Sequence, residues 1–132
     1  MFLNLETDYA IRIVNCLAKE NKRLDAKTIA TKTGVTPKFT LKILHGLVAG
    51  GIAKSYKGAG GGYTLAKDAK DISLLEVVEL VYGDLGISQC QGSGECTHPN
   101  GFCRFRSVFN DASDYLKEQF SNTNFAGDNA EE

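Results

Sequence analysis

Apolar residues recur at helical spacing in five stretches of this chain and alternate with polar ones in two. Between residues 7 and 19, Ala10, Ile13, Val14, Leu17 and Ala18 share a face, and Thr7 or Asp8 is available as N-cap. Asp25 caps a short second helix that carries Ile29 and Ala30 and stops at Gly34. A third helix follows in VTPKFTLKILHGLVAGG, with Thr36 as N-cap, Pro37 at its first position and Gly50-Gly51 at its end. At about 100° per residue, its Leu41, Leu44, Leu47 and Val48 turn toward a core, while Lys38, Phe39, Lys42 and Gly46 turn away.

Two helices joined by a short glycine-containing turn make a helix-turn-helix unit. Ile52–Tyr56 and Gly62–Leu65 are short alternations joined by KGAGGG, which predicts a β-hairpin with a glycine-rich tip. Helix-turn-helix followed by hairpin is the winged-helix plan. The GAGGG run does not read as a nucleotide-binding loop, because no apolar strand precedes it and no helix opens directly after it.

Ser73-Leu-Leu-Glu76 is a capping-box sequence that opens a fourth helix bearing Leu74, Leu75, Val77, Val78 and Val81 and closed by Gly83. A last helix over about 103–120 lines up Phe105, Val108, Phe109, Ala112, Leu116 and Phe120. At ~1.5 Å per residue it is about 27 Å long, more aromatic face than a small domain covers by itself, so a second subunit is expected on it. The fold class expected is therefore mainly α with a small β-hairpin. Its parts are a winged helix-turn-helix head over residues 1–66, a linker helix, loop and dimerisation helix over 67–120, and a polar, disordered tail over 121–132.

Composition changes this picture in one respect. The formal charge is only −1, yet residues 1–70 hold 12 Lys/Arg against 5 Asp/Glu, and residues 71–132 hold 3 against 11. The helical head is thus the basic half, which suits a polyanion. Lys38 and Lys42 on the third helix and Lys54 and Lys57 beside the hairpin tip are candidate DNA contacts. Thr36 and Phe39 add a hydrogen bond and a thymine-methyl contact, and Gly60 and Gly61 let backbone approach phosphates. No run of ~20 apolar residues would span a membrane, and MFLNLETDYA lacks the basic start of a secretory signal. A cytoplasmic location is expected.

Three of four cysteines, Cys90, Cys96 and Cys103, crowd into QCQGSGECTHPNGFCRF, a polar loop poor at burying thiols. Such thiolates suit a soft metal or an iron–sulfur cluster. Zinc is the rival, although gaps of five and six residues exceed the usual C-x2-4-C pairing, and free thiols are the third reading. His98 is either a further ligand or a solvated loop residue. Cys16, within the first helix, reads as a small core hydrophobe.

TDYAIRIV, the third helix, KGAGGGYTLAKDAKDISLLEVVE and the triple-cysteine loop followed by CRFR together resemble the IscR/NsrR-type family of bacterial regulators. The resemblance covers residues 2–120. It implies a homodimeric winged-helix transcription factor, repressor or activator, that binds palindromic double-stranded DNA. Relatives often hold an iron–sulfur cluster, and one branch, controlling cysteine metabolism, works without one; for this chain the resemblance leaves open [2Fe-2S] or [4Fe-4S] and whether purified protein retains it. By resemblance the ligands are Cys90, Cys96 and Cys103, with Asp8 of the partner subunit as candidate fourth donor. Where some members carry a histidine after the last cysteine, this chain has Arg106. Alternatively, Asp8 is simply a carboxylate favoured by the first helix's dipole.

The expected function is DNA-binding transcriptional regulation, sensing nitric oxide, iron or redox state through the cluster. Alternatives are a cluster-free regulator answering a metabolite or protein, and, more distantly, an iron–sulfur electron-transfer protein. An enzyme is not expected, since His45 and His98 lie in different modules without an evident nucleophile.

Overall fold

The structure, a computed structural model, describes residues 3–86 and 104–127. Within them the order is α1 (Leu5–Glu20), α2 (Ala26–Thr33), α3 (Pro37–Ala49), β1 (Ala53–Tyr56), β2 (Gly62–Leu65), a 3-10 turn (Ala69–Asp71), α4 (Leu74–Val81) and α5 (Arg104–Ser121). The mainly helical architecture with one small hairpin is the expected one. No helix among the described residues is long and apolar enough to cross a membrane.

Local chemistry sets most of the boundaries. Asp25 accepts from the Thr28 N–H, Thr36 from Phe39 and Ser73 from Glu76, so three helices start on the expected caps. Gly34 ends α2 in the left-handed region at φ +77°, its N–H donating to the Ala30 carbonyl at 2.9 Å. The start of α1 differs from expectation. Asn4 is the cap, accepting from both the N–H (2.8 Å) and the hydroxyl (2.6 Å) of Thr7. Thr7 is fully buried inside the first turn, so neither it nor Asp8 begins the helix.

Ala10, Ile13, Val14 and Leu17 of α1 meet Ile29 of α2, Ile43, Leu44 and Leu47 of α3, and Ile72 and Val77 around α4 in one apolar cluster. That cluster runs across residue 66, so the head and the linker helix share a core. Of the segment expected to be a disordered tail, the described part beyond α5 packs back onto the head through Phe125. Phe125 is buried in the core, its N–H donates to the Ala69 carbonyl at 3.2 Å, and Thr123 accepts from the Leu74 N–H at 2.7 Å. One aromatic ring with a slot to fill outweighs the polar residues around it.

The hairpin pairs Ala53 with Leu65 and Tyr56 with Gly62 in antiparallel register. Leu24, two residues before α2, bridges to Tyr63 as a third edge. On α5, Ser113 is buried and its hydroxyl donates to the Leu85 carbonyl at 3.2 Å. Phe105, Val108 and Tyr115 stand more than half exposed on the same helix.

Candidate nucleic-acid interface

The third helix is turned about its axis relative to the sequence expectation. Its buried residues are Thr40, Ile43, Leu44 and Leu47, with Val48 half-buried. Leu41, expected in the core, is 41% exposed. Phe39, expected to face outward, is half-buried and meets Tyr9 of α1 edge-on, ring centroids 5.4 Å apart. The reason is that α3 lodges against α1 on the Ile43 side, and the Tyr9 ring offers Phe39 a better partner than water. The outward strip therefore carries Lys38, Leu41, Lys42, His45 and Gly46, all exposed.

Lys42 reaches back across Phe39, its Nζ 5.7 Å from the ring centroid, to a Glu6 carboxylate oxygen 3.4 Å away. Thr36 stands exposed at the N-terminus of α3, with its hydroxyl oxygen accepting from Phe39 at 3.3 Å. On the other flank, a cleft of about 410 Å³ separates α3 from the hairpin, lined by His45, Val48, Ala49, Ser55, Tyr56, Lys57 and Tyr63. Helix and wing thus present His45 and Lys57 to one concavity.

Lys54 and Lys57 are exposed on the wing, with the Lys54 ammonium 5.5 Å from the Tyr56 ring centroid. A hydrogen bond with Thr64, followed by the positive charges of Lys54 and Arg23, holds the Tyr56 phenol below its usual range. Gly60 is exposed at the tip. The Gly61 N–H donates to the Gly58 carbonyl at 2.9 Å, so it closes the turn instead of aiming outward. Leu41, His45, Arg23 and Tyr56 also lie around helix and wing, where the sequence analysis did not place them. His45 lies seven positions after Lys38, a two-turn spacing that would have placed it on the same strip.

Cys90, Cys96, Cys103 and His98 lie outside the described residues, and no group of three or more His, Cys, Asp or Glu side chains among the described residues is placed to hold a metal. Asp8 is described. Its carboxylate, 63% exposed, sits 3.6 Å from the Arg12 guanidinium, which also donates to the Thr33 carbonyl at 2.9 Å and lies over the Tyr9 ring. Cys16 is half-buried, and burial first, then Glu20, pushes its thiol pKa up, as suits a packing residue.

A family model described as Rrf2, iron-dependent transcriptional regulator, matches residues 3–127. The chain belongs to the Rrf2 family. Members are transcriptional regulators and not enzymes. Protein aau3 of Rhizobium meliloti is 32% identical over 100 residues, 75% of this chain and 65% of that protein. The HTH-type transcriptional regulator IscR of Escherichia coli is 32% identical over 88 residues, 67% of this chain and 54% of IscR. The chain thus spans just under two thirds of the one relative and about half of the other. CymR, the global cysteine regulator of B. subtilis, superposes with a TM-score of 0.78 at 21% identity, covering 95% of this chain and 93% of CymR. The winged-helix architecture of the Rrf2 regulators is therefore the fold of this chain.

Proposed function

We propose that this Rrf2-family chain acts as a homodimer on palindromic double-stranded DNA and adjusts its grip through an iron–sulfur cluster. The observation that carries the DNA reading is the exposed strip of Lys38, Leu41, Lys42 and His45 beside the wing lysine Lys57. A helix with two ammonium groups, an imidazole and an aliphatic side chain outward offers donors to guanine O6/N7 and phosphate and a contact for a thymine methyl. The wing follows the duplex into the adjacent minor groove. Two heads related by a two-fold axis read a palindrome, and the exposed Phe105, Val108 and Tyr115 supply the apolar face that joins the two copies.

For the cluster, Cys90, Cys96 and Cys103 would hold the group, with Asp8 of the partner subunit as the fourth donor. When bound, an iron–sulfur cluster supplies iron that a small oxidant or nitric oxide attacks. The donor set fits: three soft thiolates lie within 14 residues, and a carboxylate such as the exposed Asp8 is a weaker, displaceable ligand. Asp8 and Glu6 share the first turns of α1, and Glu6 pairs with Lys42 on the recognition helix, which gives a ligand change a short route to the DNA surface.

The test is affinity against salt for Lys38→Ala, Lys42→Ala and Lys57→Ala protein. Each lysine on a phosphate should lower the slope of log affinity on log salt by ~1 when removed. Unchanged affinity and slope would take these residues off the DNA. For the cluster, anaerobically prepared protein should carry iron and sulfide in amounts that fall when any of the three cysteines becomes serine, and iron-free protein after reconstitution counts against it.

A further inference from the structure

The wing of this chain is fastened by a residue far from it in sequence. Arg23, in the connection between α1 and α2, lays its guanidinium 3.7 Å from the centroid of the Tyr56 ring at the end of β1. The same guanidinium, through Nη1, donates to the Gly60 carbonyl at the wing tip. The neighbouring Leu24 exchanges two backbone hydrogen bonds with Tyr63, at 3.1 and 2.7 Å. Gly62 closes the seam: at φ +141°, a Cβ on it would stand 2.7 Å from the Leu24 carbonyl oxygen and 3.0 Å from Arg23 Cγ.

The physical need for such a fastening is plain. A two-stranded hairpin has little stability of its own in water, and four glycines in KGAGGG leave its tip with large backbone freedom to lose. Any freedom still present in the unbound protein is lost on binding and subtracts from affinity. The Leu24–Tyr63 bonds hold β2 at the Ser55–Tyr63 pair and do not reach the glycine loop. Among the described residues, Arg23 joins the α1–α2 connection to both the ring at the end of β1 and the carbonyl at the tip.

We propose that Arg23 is a positioning residue for DNA binding, acting through Tyr56 and Gly60 to hold the wing at the angle that brings Lys57 onto the duplex. The proposal rests on the DNA reading above. It also explains why arginine stands there: a planar fork stacks on a ring while donating in its own plane, which an ammonium does not do.

The experiment uses the full chain and a duplex recovered by selection from a random library. Arg23→Ala, Arg23→Lys, Tyr56→Leu and the Arg23→Ala/Tyr56→Leu pair are compared for affinity at fixed salt, and the Gly61 amide is followed by hydrogen exchange without DNA. The expected result is an affinity loss of about tenfold for Arg23→Ala, the order of one stacked cation–aromatic contact. Arg23→Lys should stay weak although it keeps the charge, Tyr56→Leu should lose as much as Arg23→Ala, and the pair should lose no more than either single change. Gly61 exchange should quicken in all four. Full affinity in Arg23→Lys together with additive losses in the pair would make Arg23 a simple phosphate contact and overturn the proposal. So would unchanged Gly61 exchange in Arg23→Ala. Wild-type protein that selects no duplex would remove the DNA reading itself, while the exchange measurement still reports whether Arg23 holds the tip.

Discussion

Glu6 on α1 holds Lys42 on α3, carboxylate oxygen to ammonium nitrogen at 3.4 Å. The pair sits on the outward strip of α3, where Lys42 is 68% exposed. On the DNA surface proposed above, a carboxylate there competes with phosphate for one ammonium group and repels the duplex as well. Exposed pairs of this kind are worth only ~0.2–1 kcal/mol. Glu6→Gln should therefore raise affinity for random-sequence duplex by up to about fivefold at low salt. In a Lys42→Ala background the same change should do almost nothing. Equal gains with and without Lys42 would mean that Glu6 acts through the overall field of the head and not through this lysine.

Thr40 carries a buried hydroxyl oxygen without a hydrogen-bond partner among the described residues. Leaving such a group unsatisfied costs about 1–3 kcal/mol. Thr40→Val removes it at nearly the same shape, and urea unfolding should show about 1 kcal/mol of added stability. A loss instead would show that the hydroxyl finds a partner in solution.

Asp25 caps α2, and its hydrogen bonds with Thr28, side chain first and backbone second, hold its carboxyl pKa below the usual range. The folded state thus binds this proton less readily than the unfolded one. The capping stability is complete above the unfolded carboxylate pKa of ~3.9 and is lost as pH falls through the lower folded value. Asn caps without titrating. Thermal melts of wild type and Asp25→Asn should therefore keep a constant offset near neutrality that changes in acid, wild type losing the more. Parallel melts at every pH would detach Asp25 from the acid response.

Phe125 is 7% exposed and belongs to the head's apolar cluster. Phe125→Ala should destabilise by ~3–5 kcal/mol, the range for a core phenylalanine. Chemical denaturation resolves so large an effect directly, and a change below about 1 kcal/mol would place the ring outside the core.

The elements that sequence predicts well here are those decided within four residues. Asp25, Thr36 and Ser73 each bond an N–H three positions on, so their helices start where the cap residues stand. The hairpin's second strand is legible for a similar reason, because glycines precede it and a short alternation runs through it. Asn4, Thr7 and Asp8 are all good capping types, so residue type alone does not choose among them. What fails is whatever depends on a neighbour distant in sequence. The choice between Leu41 and Ile43 as a core residue turns on where α1 lies, and Tyr9 decides the fate of Phe39. The Arg23–Gly60 contact spans 37 positions, and no spacing rule reaches that far. The seating of Phe125 was hidden by the polar composition around it.

That seating bears on how the molecule is made. Phe125 lines one open pocket together with Ile11, Leu74 and Thr123, so its seat lies where the first helix, the fourth and the segment beyond the fifth meet. A ribosome must translate all five of these helices before the ring arrives to fill it. Until then a nascent head keeps that apolar seat open, and a chain interrupted before residue 125 lacks the ring that fills it.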